Sequence, residues 1–237
     1  MTTVHASPDY AILPQGSPPP GYPSLPTPDT FTNTLDDADF PARRGAFLAH
    51  VLRNLAPHNT KAVWYELARL AAGGRPHEGV IFSTLAFIAA RKDCADFALH
   101  SILRLLYQFT PRRGEEGTTF SSELFARARQ TVLAFKYFPD EPGIDSLCTW
   151  TENHYILFSS AAYLAGQLYP GEIFTNSGET GEQKMALNRP RILRWLELRF
   201  RSGFSEWLSH VYYDEDLTAL LSLVDFCQDA VRDGLED

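Results

Sequence analysis

Residues 152–170, ENHYILFSSAAYLAGQLYP, are apolar on nearly every side of a helical wheel once the first turn is passed. Such a helix is stable only where neighbours cover it on most sides. The segment at 189–201, RPRILRWLELRFR, is of the other kind. There Leu193, Trp195, Leu196, Leu198 and Phe200 alternate with Arg191, Arg194, Glu197, Arg199 and Arg201, which makes an amphipathic outer helix with a basic, solvated face. The stretch 215–231, EDLTALLSLVDFCQDAV, is mostly apolar again, with Asp214 available as its N-cap. The order is therefore buried helix, outer helix, buried helix.

Upstream segments read as helices with punctuated ends. PARRGAFLAHVLRNLAP has Pro41 at a plausible first helical position and Pro57 as its stop. KAVWYELARLAAGG ends at Gly73-Gly74, a C-terminal signal. EGVIFSTLAFIAARKD is apolar until Arg91. ADFALHSILRLLYQFTP gathers Phe97, Ile102, Leu105, Leu106 and Phe109 on one face and stops at Pro111. SSELFARARQTVLAFKYFP opens with Ser121 or Ser122 as cap and stops at Pro139. No alternating β-branched run bounded by hairpin turns is present. The fold class expected is all-α: consecutive αα-hairpins forming a partial (α/α) toroid over residues 37–237. Residues 1–36, which include PQGSPPPGYPSLPTPDT, are expected to be an irregular Pro-rich leader.

In an array of inner–outer hairpins the inner helices run the same way, so the segments that precede them share one face. Two such segments are rich in polar and aromatic groups. One holds Trp150, Glu152, Asn153 and His154; the other holds Glu206, Trp207, His210, Tyr212, Tyr213, Glu215 and Asp216. Their plain structural readings are definite. Glu152 suits the positive end of a helix, His154 suits a half-buried histidine bonded to a carbonyl, and Trp207 and the tyrosines suit plugs between helices. Glu206, between Phe204 and Trp207, is a partly desolvated carboxylate that needs a partner. The functional reading is sugar recognition. Rings stack on sugar faces, two carboxylates serve glycoside hydrolysis, and a histidine with a tyrosine serves a lyase. The loop FTNSGETGEQ reads as an ordinary turn-rich connection, and its glycine spacing matches no phosphate cradle.

A net charge of −8 speaks against nucleic-acid and anionic-membrane partners. No run reaches the ~20 apolar residues of a membrane span, and no secretory signal is visible, so a cytoplasmic protein is expected. Cys94, Cys148 and Cys227 show neither zinc nor disulfide spacing and are expected to be reduced, buried thiols. No metal ligand and no cofactor is assigned from the sequence.

The stretches TWTENHYILFSSAAYLAGQLYP and RILRWLELRFRSGFSEWLSHVYYDEDLTALLSLVDF resemble the helical-toroid region of large, mostly uncharacterised bacterial proteins. More distantly, they are similar to the toroid domains of heparinase-like and alginate-lyase-like polysaccharide lyases. The resemblance covers about residues 145–232. It rests on a loop of the form Glu-x-x-Ser/His-x-x-Tyr-Tyr, here Glu206, Ser209, Tyr212 and Tyr213, and on the pair Asn153–His154. It implies a carbohydrate-binding or carbohydrate-active site on the inner-helix rim. Glu206 or His210 would be the base and Tyr212 the acid, with His154 beside them. Asn153 would neutralise developing charge, and Trp150, Glu152, Trp207 and Tyr213 would contact an oligosaccharide. The chain supplies seven or eight helices where a full toroid needs about twelve. An open arc, or the N-terminal part of a longer toroid, is therefore expected. The flank of its last hairpin would invite a protein partner or self-association. The other class of function is a non-catalytic helical-repeat interaction module, in which the same residues are caps and plugs.

Overall fold

The structure is a computed structural model that describes residues 39–110 and 119–228. The expected leader, the stop at Pro111 and the end of the last apolar stretch lie outside the described residues. Among the described residues there are eight α-helices and no strand. They are α1 (Asp39–Arg53), α2 (Ala62–Ala71), α3 (Glu78–Ala89), α4 (Ala95–Phe109), α5 (Ser122–Ala134), α6 (Glu152–Leu168), α7 (Gly181–Ser202) and α8 (Tyr213–Phe226). The all-α expectation holds. The chain divides into two compact units, Met1–Ala46 and Phe47–Asp237. Of the first, the described part is the opening of α1. The buried core and helices α2 to α8 belong to the second.

Helix ends follow local chemistry. Gly73 has φ +79, and the amides of Gly73 and Gly74 bond back to the carbonyls of Leu70 and Arg69, closing α2 with a glycine-dependent C-cap. Ser121 caps α5 by accepting from the Leu124 amide. Thr180 and Gln183 form a reciprocal capping box at the start of α7. Helix α7 therefore begins well before the basic stretch that announced it and carries Pro190 inside. Two expectations are corrected. Asp214 is not the N-cap of α8; Tyr212 holds that place, and Asp214 instead pairs with Lys61 at 2.9 Å. Helix α5 stops at Ala134 rather than at Pro139, because Phe135 and Tyr137, two positions apart in the chain that leaves the helix, both turn into the core.

Two helices form the centre. Helix α6 packs on α4, α7 and α8, and it is buried without interruption from Ile156 to Gly166. That is the cover its apolar circumference demands. Helix α4 packs on α2, α3, α5, α6 and α8, with Ala95 to Leu103 all buried. The α6–α7 crossing is close because Gly166 and Gly181 meet backbone to backbone; a Cβ on either would collide with the other's carbonyl. Between the central helices lies the buried His100. His100 Nε2 is 3.0 Å from the Leu157 carbonyl, and Nδ1 is 3.2 Å from Ser222 Oγ.

Contacts between first turns fix the polarity. Lys61, the N-cap of α2, pairs with Glu215 in the first turn of α8. Asp96 in the first turn of α4 bonds to His154 in that of α6. Glu152, which opens α6, binds Ser205 and Glu206 just ahead of α8. Helices α2, α4, α6 and α8 therefore begin at one common end.

Candidate functional site

Four helix N-termini bring partial positive charge to that common end. The sequence meets them with acids: Asp96 on α4, Glu152 on α6, and Asp214, Glu215 and Asp216 on α8. Helix dipoles explain a preference for carboxylates there, but not the burial of so many.

Glu152 is a clamp. One carboxylate oxygen pairs with Arg199 from α7; the other accepts from the amides of Ser205 and Glu206 and from Ser205 Oγ. Its own carbonyl accepts from Trp195 Nε1 at 3.1 Å. Through these contacts Glu152 holds the 203–212 loop in place, a role beyond the helix-start reading of the sequence.

His154 is buried, and its Nδ1 lies 2.6 Å from Asp96 Oδ2, so its partner is a carboxylate rather than the expected carbonyl. Burial opposes charge on the ring, but the hydrogen bond and charge of Asp96 outweigh it and raise the His154 pKa. Burial raises Asp96 in turn, against the pull of His154. Phe97 stacks on the ring at 4.9 Å.

Around this pair sit carboxylates without enough partners. Asp216 is fully buried, and neither oxygen has a hydrogen-bond partner. Burial first, then the charge of Glu206, pushes its pKa up to about 7, against the pull of Arg199. Glu215 binds Lys61 at 2.5 Å through one oxygen and leaves the other buried and unpartnered; burial raises it in spite of Lys61. Glu206 keeps Oε2 buried and unpartnered, and burial raises it against the pull of His154. Asn153 is fully buried. Its Oδ1 accepts from Thr151 Oγ1 at 2.5 Å, and its Nδ2 has no partner.

The aromatic residues divide. Trp150 and Trp207 are exposed, at 81% and 74%, and Tyr212 is exposed as well, so none of the three is a plug. Tyr213 does pack as one: its ring lies 5.0 Å from Phe204, and its hydroxyl accepts from the Leu208 amide at 2.8 Å. Ser209 turns the loop by accepting from the Tyr212 amide. His210 is exposed and shares no hydrogen bond with the acidic cluster among the described residues.

Four contributors went unassigned in the sequence: Asp96, Lys61, Arg199 and the Asp93–Cys94 turn. A carboxylate oxygen of Asp93, Cys94 Sγ and a ring nitrogen of His154 all lie within 4.8 Å of one another. For Asp93, Cys94 and Asp96 a signal was present in the sequence. The segment DCAD leads into α4 as TWTENH leads into α6, and the rule that such segments share a face applies to both. A cavity of about 750 Å³ lies elsewhere, between residues 56–62 and the small-residue face of α3 at Gly79, Ser83 and Ala86. None of the clustered acids lines it.

Searches of protein-family models, curated proteins and solved structures find no match to this chain.

Proposed function

We propose that the common N-terminal end of α4, α6 and α8 is a carbohydrate-active site, and that its chemistry is glycoside hydrolysis by the carboxyl pair Glu206 and Asp216. The observation that carries this is Asp216: a fully buried acid with both oxygens unpartnered, electrostatically coupled to Glu206. A carboxyl that keeps its proton to about pH 7 suits a general acid, donating to the leaving glycosidic oxygen. Glu206 takes the proton from the attacking water. Asn153 Nδ2 is a buried donor for a sugar hydroxyl. Trp150, Trp207 and Tyr212 offer exposed ring faces, and His154 is electrostatically coupled to Glu206.

The surplus of carboxylates over Lys61 and Arg199 favours a neutral sugar. Elimination from an acidic polysaccharide needs cationic groups to neutralise the substrate carboxylate, and this end is acidic. We also read the shared polarity of α2, α4, α6 and α8 as the inner layer of a partial (α/α) toroid. Among the described residues no helix is long and apolar enough to cross a membrane.

A thermal-shift screen of neutral and acidic oligosaccharides tests the reading. A neutral oligosaccharide is expected to raise Tm, and Glu206→Gln and Asp216→Asn are expected to remove that shift without lowering the Tm of the unliganded protein. A shift that survives both substitutions overturns the assignment, as does a response to acidic oligosaccharides alone.

A second reading, a helical interaction module, is favoured by α8 itself. Leu217, Leu221 and Val224, spaced four and three residues apart, form an exposed apolar stripe on its outer face.

A further inference from the structure

We propose that Asp93, Cys94 and His154 form a three-ligand site for a transition-metal dication, zinc by its donor chemistry, at the start of α4. The inference does not rest on the carbohydrate reading, and its test needs no sugar. The three donor atoms lie within 4.8 Å of one another. Zinc bonds of about 2.0–2.3 Å place tetrahedral ligand atoms roughly 3.3–3.8 Å apart, so small side-chain rotations close the set. Two donors come from the turn that opens α4 and the third from the first turn of α6, some 60 residues on in sequence. The sequence therefore shows no zinc spacing where the fold makes one.

The outer contacts match what a metal-bound imidazole requires. Asp96 engages Nδ1 of His154 at 2.6 Å, which fixes the tautomer and turns Nε2 away from the carboxylate as the ligand nitrogen. Phe97 and Phe158 lie against the ring at 4.9 and 6.2 Å and hold its plane. Asp93 is steadied in the same way, its Oδ1 accepting from the Cys148 amide at 3.1 Å and its Oδ2 left for the metal. An independent observation points to a cation. Asp96, fully buried, has its second oxygen without a hydrogen-bond partner, and Glu206, Glu215 and Asp216 add further unpartnered buried oxygens at the same end. A dication supplies positive charge beside these oxygens, as Lys61 and Arg199 do only at the edges of this end.

Thiolate, imidazole and carboxylate together select zinc over calcium or magnesium, which take oxygen donors. Three protein ligands leave the fourth position to water, the coordination of a catalytic rather than a structural site. The metal takes His154 and leaves Glu206 and Asp216 to the ligand.

The experiment is titration of the purified, chelator-treated full chain with Co²⁺, followed by displacement with Zn²⁺. One equivalent is expected to bind. It should give a thiolate-to-cobalt charge-transfer band in the near ultraviolet and intense visible bands of tetrahedral geometry, both bleached by zinc. Cys94→Ser is expected to remove the charge-transfer band and His154→Ala to weaken binding by at least a hundredfold. Cys148→Ser should leave the spectrum intact. Asp96→Asn, a positioning change, should weaken affinity ten- to a hundredfold with the band position kept. Far-ultraviolet circular dichroism confirms that each variant is folded. Should His154→Ala fail to fold, His154→Gln takes its place. Weak six-coordinate cobalt without charge transfer overturns the site, as does a band lost in Cys148→Ser but kept in Cys94→Ser.

Discussion

Asp216 and His100 are both buried ionisable groups, and they bend stability in opposite directions with pH. Asp216 is raised from 3.8 to about 7. The fold therefore holds a proton that the unfolded chain releases, and the stability this gives is whole below about pH 3.8 and lost as pH rises through about 7. His100 is lowered from 6.5 to about 4, chiefly by burial. Its fold-stabilising neutral form is shared by both states above about pH 6.5; on acidification to about pH 4 the unfolded chain takes the proton first, at a cost of roughly 3 kcal/mol to the fold. Between about pH 4 and 6.5 the two effects oppose each other and largely cancel, so Tm should stay nearly level there and fall as pH rises on through about 7. Asp216→Asn should leave Tm at pH 4 unchanged and uncover a rise with pH, ending roughly 10 °C above the parent at pH 8.5. His100→Gln should lower Tm overall and leave an uninterrupted fall from about pH 4 to about 7. If the Asp216→Asn curve runs parallel to that of the parent, Asp216 is not protonated in the fold. Much of this cluster was legible because polar residues before inner helices share a face. Glu152, Asn153, His154 and Glu206 were located that way. Asp96 and His100 were not, since helical phase tells which side a residue takes, not how deeply that side is buried or which first turns touch.

At the scale of the element, the 203–212 loop depends on a residue that lies outside it. Glu152 receives two loop amides and a loop hydroxyl while paired to Arg199, and its side chain is 3% exposed. Removing it leaves Arg199 without its anion and the loop without its anchor. Glu152→Ala should cost about 3 kcal/mol, or roughly 10 °C in Tm, and should raise proteolytic sensitivity at the loop before α8. An unchanged Tm would show that the loop is held by Tyr213 and Phe204 alone. Helix existence was plain from periodicity and from Gly and Pro punctuation. Helix ends were less so where side-chain demands from elsewhere intervened. Phe135 and Tyr137 cut α5 short to fill the core, and Lys61 drew Asp214 away from capping α8. The capping box at Thr180 was visible in the loop that read as an ordinary connection, and it extends α7 upstream.

On the scale of the whole molecule, the two central helices differ from the last one in how far they are covered. Helix α6 has neighbours on all sides, as its sequence requires, whereas α8 has α4 and α6 on its inner side only. Its inner residues Ala219 and Leu223 are fully buried, but Leu217 and Leu221 on the other side remain about half exposed. The apolar character of α8, read from the sequence as burial, is thus satisfied on one face alone. Exposed Trp207 and Leu208 precede the same helix. Water contact along such a stripe is unfavourable, and a second copy of the stripe is available at high protein concentration. The net charge of −8 opposes that pairing, and salt weakens the opposition. Sedimentation velocity should therefore show association that grows with concentration and with ionic strength. The double substitution Leu217→Lys, Leu221→Lys should abolish it with Tm within about 2 °C of the parent, because neither side chain supports the core. Association that weakens with salt, or that persists in the double variant, would remove α8 from the interface and with it the observation that favours an interaction module.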